Sequence, residues 1–349
     1  MEQIILFAFL ILFPFGTIIK IGTVNPIDIV VGLGALTAIL KRYKTPEVFR
    51  YFFNFLFIAA FTFIASVFVF KDSQVLTGLL YLVRLAAYFY FLIFILHFKD
   101  KKSILNFLLA ISVISAVFGW IQYFLFPDFR ALIEYGWDDH LYRMVGTFLD
   151  PAFLGLILVF GLTISLHKKK NLLSLFLLAS IAFTYSRASY IAALVPLVYK
   201  KARVLSLVFA GLILFLPRTA GEGVKLERTA SISARLDNYR QTFEIFKGNP
   251  LFGVGFNNIC LAKDADFESH SCSGADSSLL FILTTTGVAG FLGFIYLIYK
   301  VWKNSDDLFR ISGISLLLHS LFANSLFYPW ILGFIIILFG LSLRREVED

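Results

Sequence analysis

The sequence predicts an all-α integral membrane protein of about twelve transmembrane helices with one long exterior loop that contains an amphipathic helix. Three observations carry that fold class. Hydrophobic residues make up 59% of the 349 residues against 15% charged, and mean hydropathy is +0.82, far from a soluble balance. Apolar runs, rich in the chain's 42 phenylalanines, recur along its length. Short basic clusters fall in alternate turns between those runs.

In chain order the spans read 3–22, 26–40, 51–70, 74–98, 103–125, 147–166, 171–185, 188–199, 204–216, 277–299, 311–328 and 329–343. The first run has no basic leader and no small-residue cleavage site, so it reads as a retained span. Basic residues gather at Lys41–Arg50, Lys99–Lys102, Lys168–Lys170, Lys200–Arg203, Lys300–Arg310 and Arg344–Arg345. Positive charge in alternate short loops marks the cytoplasmic side, so the net +8 is a topology signal rather than a nucleic-acid footprint. With both termini inside, the 126–146 and 217–276 loops lie on the opposite side. Several spans are short for a crossing, notably the pair around Ser186-Arg187 and the one ending at Pro217. They are re-entrant, tilted or set in a thin bilayer. No internal repeat or linker divides the chain, so residues 1–349 read as one domain.

The 217–276 loop is the only long segment that is not hydrophobic. Ile232, Leu236, Tyr239, Phe243 and Phe246 recur at helical spacing and predict an amphipathic helix. Ser231 or Ser233 is positioned to cap its start, and Lys247-Gly248-Asn249-Pro250 ends it. Lying on a membrane surface, this helix would present Arg235 and Arg240 to an anion. The alternative is a solvated helix whose arginines pair with Asp237 and Glu244. Gly253 and Gly255 permit a tight turn or close approach of backbone to a ligand. Cys260 and Cys272, both on the exterior side, have the spacing for a disulfide that restrains the loop; free or buried thiols are the alternative.

No Walker loop, HExxH, GxSxG or Cys/His metal pattern occurs, and the five histidines are scattered, which leaves no expected metal or cofactor. Charges in or beside spans are functional hypotheses. Arg84 sits mid-span, with an interhelical acid or carbonyl as its structural alternative. Arg187 tips a short helical hairpin, with snorkelling as its alternative. These two and Arg235 are expected to converge on the exterior face, where guanidinium forks suit a lipid diphosphate. Asp276, where the chain re-enters the membrane, reads either as a general base or as a helix N-cap.

Four stretches then share a pattern: TFLDPAFLG (147–155), TYSRASYIAAL (184–194), SARLDNYRQTFEIFKGNPLFGVGFNN (233–258) and DSSLLFILTTTGVAG (276–290). In this order they resemble the motifs of the O-antigen ligase and O-antigen polymerase superfamily. The resemblance implies a bacterial inner-membrane glycosyltransferase of the GT-C type. Such an enzyme moves a glycan from undecaprenyl diphosphate to an acceptor hydroxyl, on lipid A–core or a growing polysaccharide, at the periplasmic face. By position Arg187 and Arg235 match family arginines, and Arg84 matches a further one. The family histidine's place holds Asp276, with Ser277, Gly287 and Gly290 keeping the register; His270 is a second candidate base outside that register. Ligation and polymerisation both remain open. A transporter or flippase of lipid-linked sugars is the alternative class, although inverted repeats and intramembrane acids do not stand out.

Overall fold

The computed structural model describes residues 2–19, 24–70, 73–135, 138–218, 221–263 and 274–343. Among them every regular element is helical, with one isolated β-bridge between Asp128 and Leu141. The α-helices are α1 (Glu2–Leu12), α2 (Pro26–Leu40), α3 (Phe49–Val69), α4 (Thr77–Leu96), α5 (Lys101–Leu125), α6 (Pro151–His167) and α7 (Asn171–Phe183). They continue with α8 (Arg187–Tyr199), α9 (Arg203–Leu214), α10 (Ala230–Gly248), α11 (Ile259–Lys263), α12 (Ser278–Lys303), α13 (Asp307–His319) and α14 (Pro329–Ser342). Four stretches are long and apolar enough to cross a membrane: Phe49–Val69, Gln74–Leu96, Lys101–Leu125 and Ser278–Lys303. Seven shorter apolar helices accompany them among the described residues.

Three expected spans are interrupted, one of them the 277–299 run, which breaks at Gly287. The 3–22 run leaves α-helical geometry after Leu12 and tightens into a 3-10 turn over Phe13–Ile18, where Pro14 lacks a donor and Gly16 takes φ +56°. The 311–328 run stops at His319, and its helix begins earlier, at Asp307, with Asp306 capping the Phe309 amide at 2.9 Å. The basic turns share one geometry. Arg42, Lys169 and Lys201 each take positive φ after α2, α6 and α8, and the next residue's amide reaches back to Ala38, Ser165 and Leu197 respectively. Cations at helix C-termini suit the dipole, and the repeated turn sets one basic end of the bundle. The opposite end, where α2, α6 and α8 begin, is called the loop end below.

Sequence also decides which helices are central. α6 is buried from Leu154 to Leu166 and α14 from Pro329 to Gly340, as helices apolar all round should be. α5, α7, α8 and α13 pack around α6, while α14 lies on α4 and α12 on α3. Phe53, Phe57, Phe61 and Phe68 of α3 and Val204, Leu207 and Leu214 of α9 remain exposed, an apolar periphery suited to lipid.

α12 is broken at Gly287 (φ +63°), and the break is filled by the turn after α10. An unbroken helix would bond the amides of Val288 and Ala289 to the carbonyls of Thr284 and Thr285. Instead those amides donate to Pro250 and Leu251 (2.9 and 3.2 Å), and the freed carbonyls accept from Val254 and Gly255 (2.9 and 3.0 Å). These two amides and two carbonyls released by the kink are thereby satisfied. Gly253 (φ +68°) lies against the Thr284–Thr286 backbone, and Gly255 (φ +96°) against Ser66 and Thr62 of α3. The close approach that these glycines permit is therefore to α12 and α3, not to a ligand. Gly287 likewise serves the kink, with the Leu251 carbonyl occupying the space a Cβ would need.

α10 forms as its periodicity predicts, but Ile232, Leu236 and Phe243 remain 44%, 56% and 43% exposed. Its inward side is a neighbouring stripe: Asn238 and Tyr239 bond to the chain around Asp276, and Thr242 is buried under Thr284. No side chain caps its start; Thr229 occupies the cap position, and Ser231 is used elsewhere.

Candidate functional site

The site is assembled at the loop end from four separate segments. The first is the tip between α7 and α8, where Tyr185 takes φ +52° and Ser186 caps α8 by accepting from the Ser189 amide. This left-handed tyrosine turns its carbonyl toward two guanidinium groups: Arg143 Nη2 donates at 3.4 Å and Arg228 Nη2 at 3.2 Å. Arg143 Nε also donates to Thr184 O at 3.2 Å. Arg187, the first residue of α8, reaches into the chain leading to α10, donating to the Leu226 and Arg228 carbonyls (both 3.2 Å) and to Ser231 Oγ (2.8 Å). Three arginines thus meet here, with backbone carbonyls and the Ser231 hydroxyl among their partners.

Arg235, one turn into α10, is the fourth. It makes no hydrogen bond or ion pair among the described residues, and its charge acts on Arg143, Arg187, Tyr239, His319 and Asp276. Asp276 is held by its backbone: its amide donates to Asn238 Oδ1 at 2.9 Å, and its carbonyl accepts from Tyr239 Oη at 3.3 Å. Burial raises the Asp276 pKa above the ordinary carboxylate range, against the lowering pull of Arg235 and Lys263. The cap of α12 is Ser277, whose hydroxyl accepts from the Leu280 amide, so the N-cap reading of Asp276 does not hold. Arg235 stands within electrostatic reach of both Arg187 and Asp276 and so links the two.

The other expected residues lie apart. Arg84 donates to Asp28 at 2.8 Å, with Tyr88 Oη on the same carboxylate at 3.1 Å and the Tyr81 ring 5.0 Å below the guanidinium. Its interhelical acid is the explanation that holds. Arg240 is 78% exposed and faces Asp237 at 3.7 Å, a solvated i,i+3 pair. His270 and Cys272 lie outside the described residues, and Cys260 is buried on α11.

The sequence reading passed over several groups found here. Arg143 lies in what looked like a connector. Burial, helped by Arg228, pushes it down to about 9, so it keeps its proton at neutral pH. Burial and the Arg143 charge hold His140 down to about 3, and its neutral ring sits with Nδ1 3.4 Å from Arg143 Nη1. Asp150, within the TFLDPAFLG motif, caps α6 through the Ala152 and Phe153 amides (2.6 and 3.0 Å). His319 ends α13 with Nδ1 2.7 Å from Ser325 Oγ and Nε2 3.3 Å from Ser189 Oγ. Ser189 in turn bonds Ser186 Oγ at 2.9 Å, in space left by the missing side chain of Gly155. The signal that was available was Asp150 in a recognised motif; His319, alone in an apolar run, offered none. Among the described residues no three His, Cys, Asp or Glu side chains form a group able to hold a metal.

Fold and site together define an apolar helical bundle of membrane type whose polar mouth gathers Arg143, Arg187 and Arg228 at the α7–α8 tip, with Arg235 between them and the buried carboxylate of Asp276. Residues 141–295, less than half of the chain, match the family model described as O-Antigen ligase (Wzy_C), which supports the O-antigen ligase/polymerase superfamily and glycosyltransferase chemistry of the GT-C type. The match takes in Arg143, Asp150, Arg187, Arg228, Arg235 and Asp276, and leaves out Arg84 and His319. No curated protein matches the chain.

Proposed function

We propose that the protein transfers a glycan from undecaprenyl diphosphate to a sugar hydroxyl of lipid A–core or of a growing polysaccharide. It does so at the periplasmic face of the bacterial inner membrane, with twelve crossings and both termini cytoplasmic. The observation that carries this reading is the position of Arg235 within reach of both Arg187 and Asp276, three residues drawn from three segments, with Arg235 making no hydrogen bond or ion pair among the described residues. Arg187 and Arg235 hold the diphosphate, and Arg143 and Arg228 brace the α7–α8 tip that presents Arg187. Asp276 accepts the proton of the attacking hydroxyl. The new glycosidic C–O bond forms on the face opposite the departing oxygen, so configuration inverts. The bond to the diphosphate breaks with its electron pair on the leaving group, where the arginines stabilise the added charge. The raised pKa of Asp276 suits a base, since a more basic carboxylate takes a proton more readily. A Cys260–Cys272 disulfide restrains the loop, and the exposed Ile232–Leu236–Phe243 stripe rests on lipid.

A broken helix is also a transporter feature, but there the half-helix ends face a substrate or ion. Here the 250–255 turn occupies the break in α12, which supports a fixed scaffold over an ion-coupled path. The test is reconstitution with a lipid-diphosphate-linked glycan and acceptor, in chelator and without nucleotide. Wild-type protein forms product; Arg187→Ala and Asp276→Asn insert normally and form essentially none. Product from both variants at the wild-type rate would end the proposal.

A further inference from the structure

Buried polar atoms without a partner are few in a native fold, and each asks for a reason. Among the described residues there are seven: Ser115 Oγ, His140 Nε2, Thr242 Oγ1, Ser320 Oγ, Asn324 Oδ1, Tyr328 Oη and Trp330 Nε1. The last four fall within residues 320–330, which join α13 to the first turn of α14 and are called the 320–330 turn. That turn is tied at one end to the mouth of α12. Ser278 N donates to Ser320 O at 2.9 Å, Leu326 N donates to Ser278 Oγ at 3.1 Å, and Tyr239 Oη bridges the carbonyls of Leu321 and Asp276. At its other end Tyr328 stacks on Phe153, with ring centres 3.9 Å apart and planes at 12°, and Trp330 lies 5.0 Å beyond. Phe153 is one of the two residues whose amides Asp150 caps, and the Asp150 charge acts on both Tyr328 and Asp276. The turn therefore runs from one buried carboxylate to the other.

Its chemistry differs from that of the arginine wall. Ser320 and Tyr328 hydroxyls both donate and accept, Asn324 offers an amide and Trp330 a donor, with no formal charge among them. An anion asks for donors alone, whereas a hydroxyl-rich ring needs both kinds and presents C–H faces to aromatic rings. We infer that the 320–330 turn, with Asp150 and Phe153, binds the ring of the acceptor sugar and delivers its hydroxyl to Asp276. Asn324 and Tyr328 are partly exposed residues whose Oδ1 and Oη are covered, so the turn opens on binding to present them to the sugar, with Ser320 and Trp330 as the polar floor beneath. This inference rests on the glycosyl-transfer reading above.

Membranes of a strain deleted for the gene supply lipid-linked donor and lipopolysaccharide core for assay with the reconstituted protein. Tyr328→Phe removes one oxygen and nothing else. A sugar contact predicts an acceptor KM raised about tenfold, a loss of one hydrogen bond's worth of affinity. Donor KM stays within about twofold, and the thermal midpoint stays the same or rises, because an unpaired buried hydroxyl has gone. Asn324→Ala shows the same split between acceptor and donor. Wild-type acceptor KM in both variants, or equal changes in donor and acceptor KM with a lowered midpoint, overturns the acceptor site while transfer by the wild type keeps the glycosyltransferase reading. Absence of transfer by the wild type overturns both.

Discussion

Arg84 and Arg235 are both guanidinium groups at the loop end of an apolar bundle, and they differ in what faces them. Arg84 meets Asp28, a carboxylate that also accepts from the Asn25 amide and from Tyr88, and both charged side chains are at most 14% exposed. Its charge is neutralised inside the fold. Arg235 makes no ion pair among the described residues, and Arg143 and Arg187 stand near it on carbonyls and the Ser231 hydroxyl. Carbonyl oxygens orient a guanidinium without cancelling its charge, so this mouth keeps a positive field and Arg84 contributes none to it. The number of arginines near a membrane edge is thus a poor guide to an anion site; the character of their partners decides.

This contrast breaks most visibly under Arg84→Ala. Removing one member of a buried pair leaves Asp28 uncompensated and lowers stability by about 3–5 kcal/mol, read as a fall in thermal midpoint in detergent. Transfer per folded molecule stays near wild type. Arg235→Ala does the reverse: turnover falls by about 10²–10³, while the midpoint holds because no internal bond is lost. Equal stability losses in the two variants would erase the distinction between them.

Much of this division was legible beforehand, and its limits are physical. Periodicity found α10, although most of the stripe it marked stays exposed, apolar run length found the four long helices, and motif order brought out Arg187, Arg235 and Asp276. Arg84 looked equivalent to them because Asp28 lies 56 positions away, in a helix whose acid reads as a first-turn charge. Gly253, Gly255 and Gly287 were legible as permissive positions, but not that they fit one another, since their contact joins a turn to a helix break that no local pattern marks. Arg143 and His319 stayed hidden because single polar residues in apolar or connecting runs carry no spacing signal.

The seam between the turn and α12 offers a sharper, smaller test. Gly287→Ala forces a side chain into positive φ and onto the Leu251 carbonyl, at a cost of about 1–3 kcal/mol. Because the same seam anchors α10, transfer also weakens, through a raised donor KM rather than a changed pH profile. Gly248→Ala, at the end of α10 in open space, leaves both properties unaltered.

The smallest effect concerns the charge that Arg235 faces. Burial lifts the Asp276 pKa above its unfolded value, so the folded protein holds a proton that the unfolded chain releases. Stability from this group is fully present below the unfolded pKa and is lost as pH rises through the folded one. Transfer runs the other way, rising over the same window as the carboxylate becomes able to accept a proton. Asp276→Asn should flatten the stability slope, leave the protein slightly more stable at neutral pH, and abolish turnover at every pH. Thermal midpoints and initial rates collected across that acidic range measure both trends. Parallel trends in the wild type, or an unchanged slope in the variant, would mean that Asp276 is not the group that titrates, and that Arg235 faces no working base.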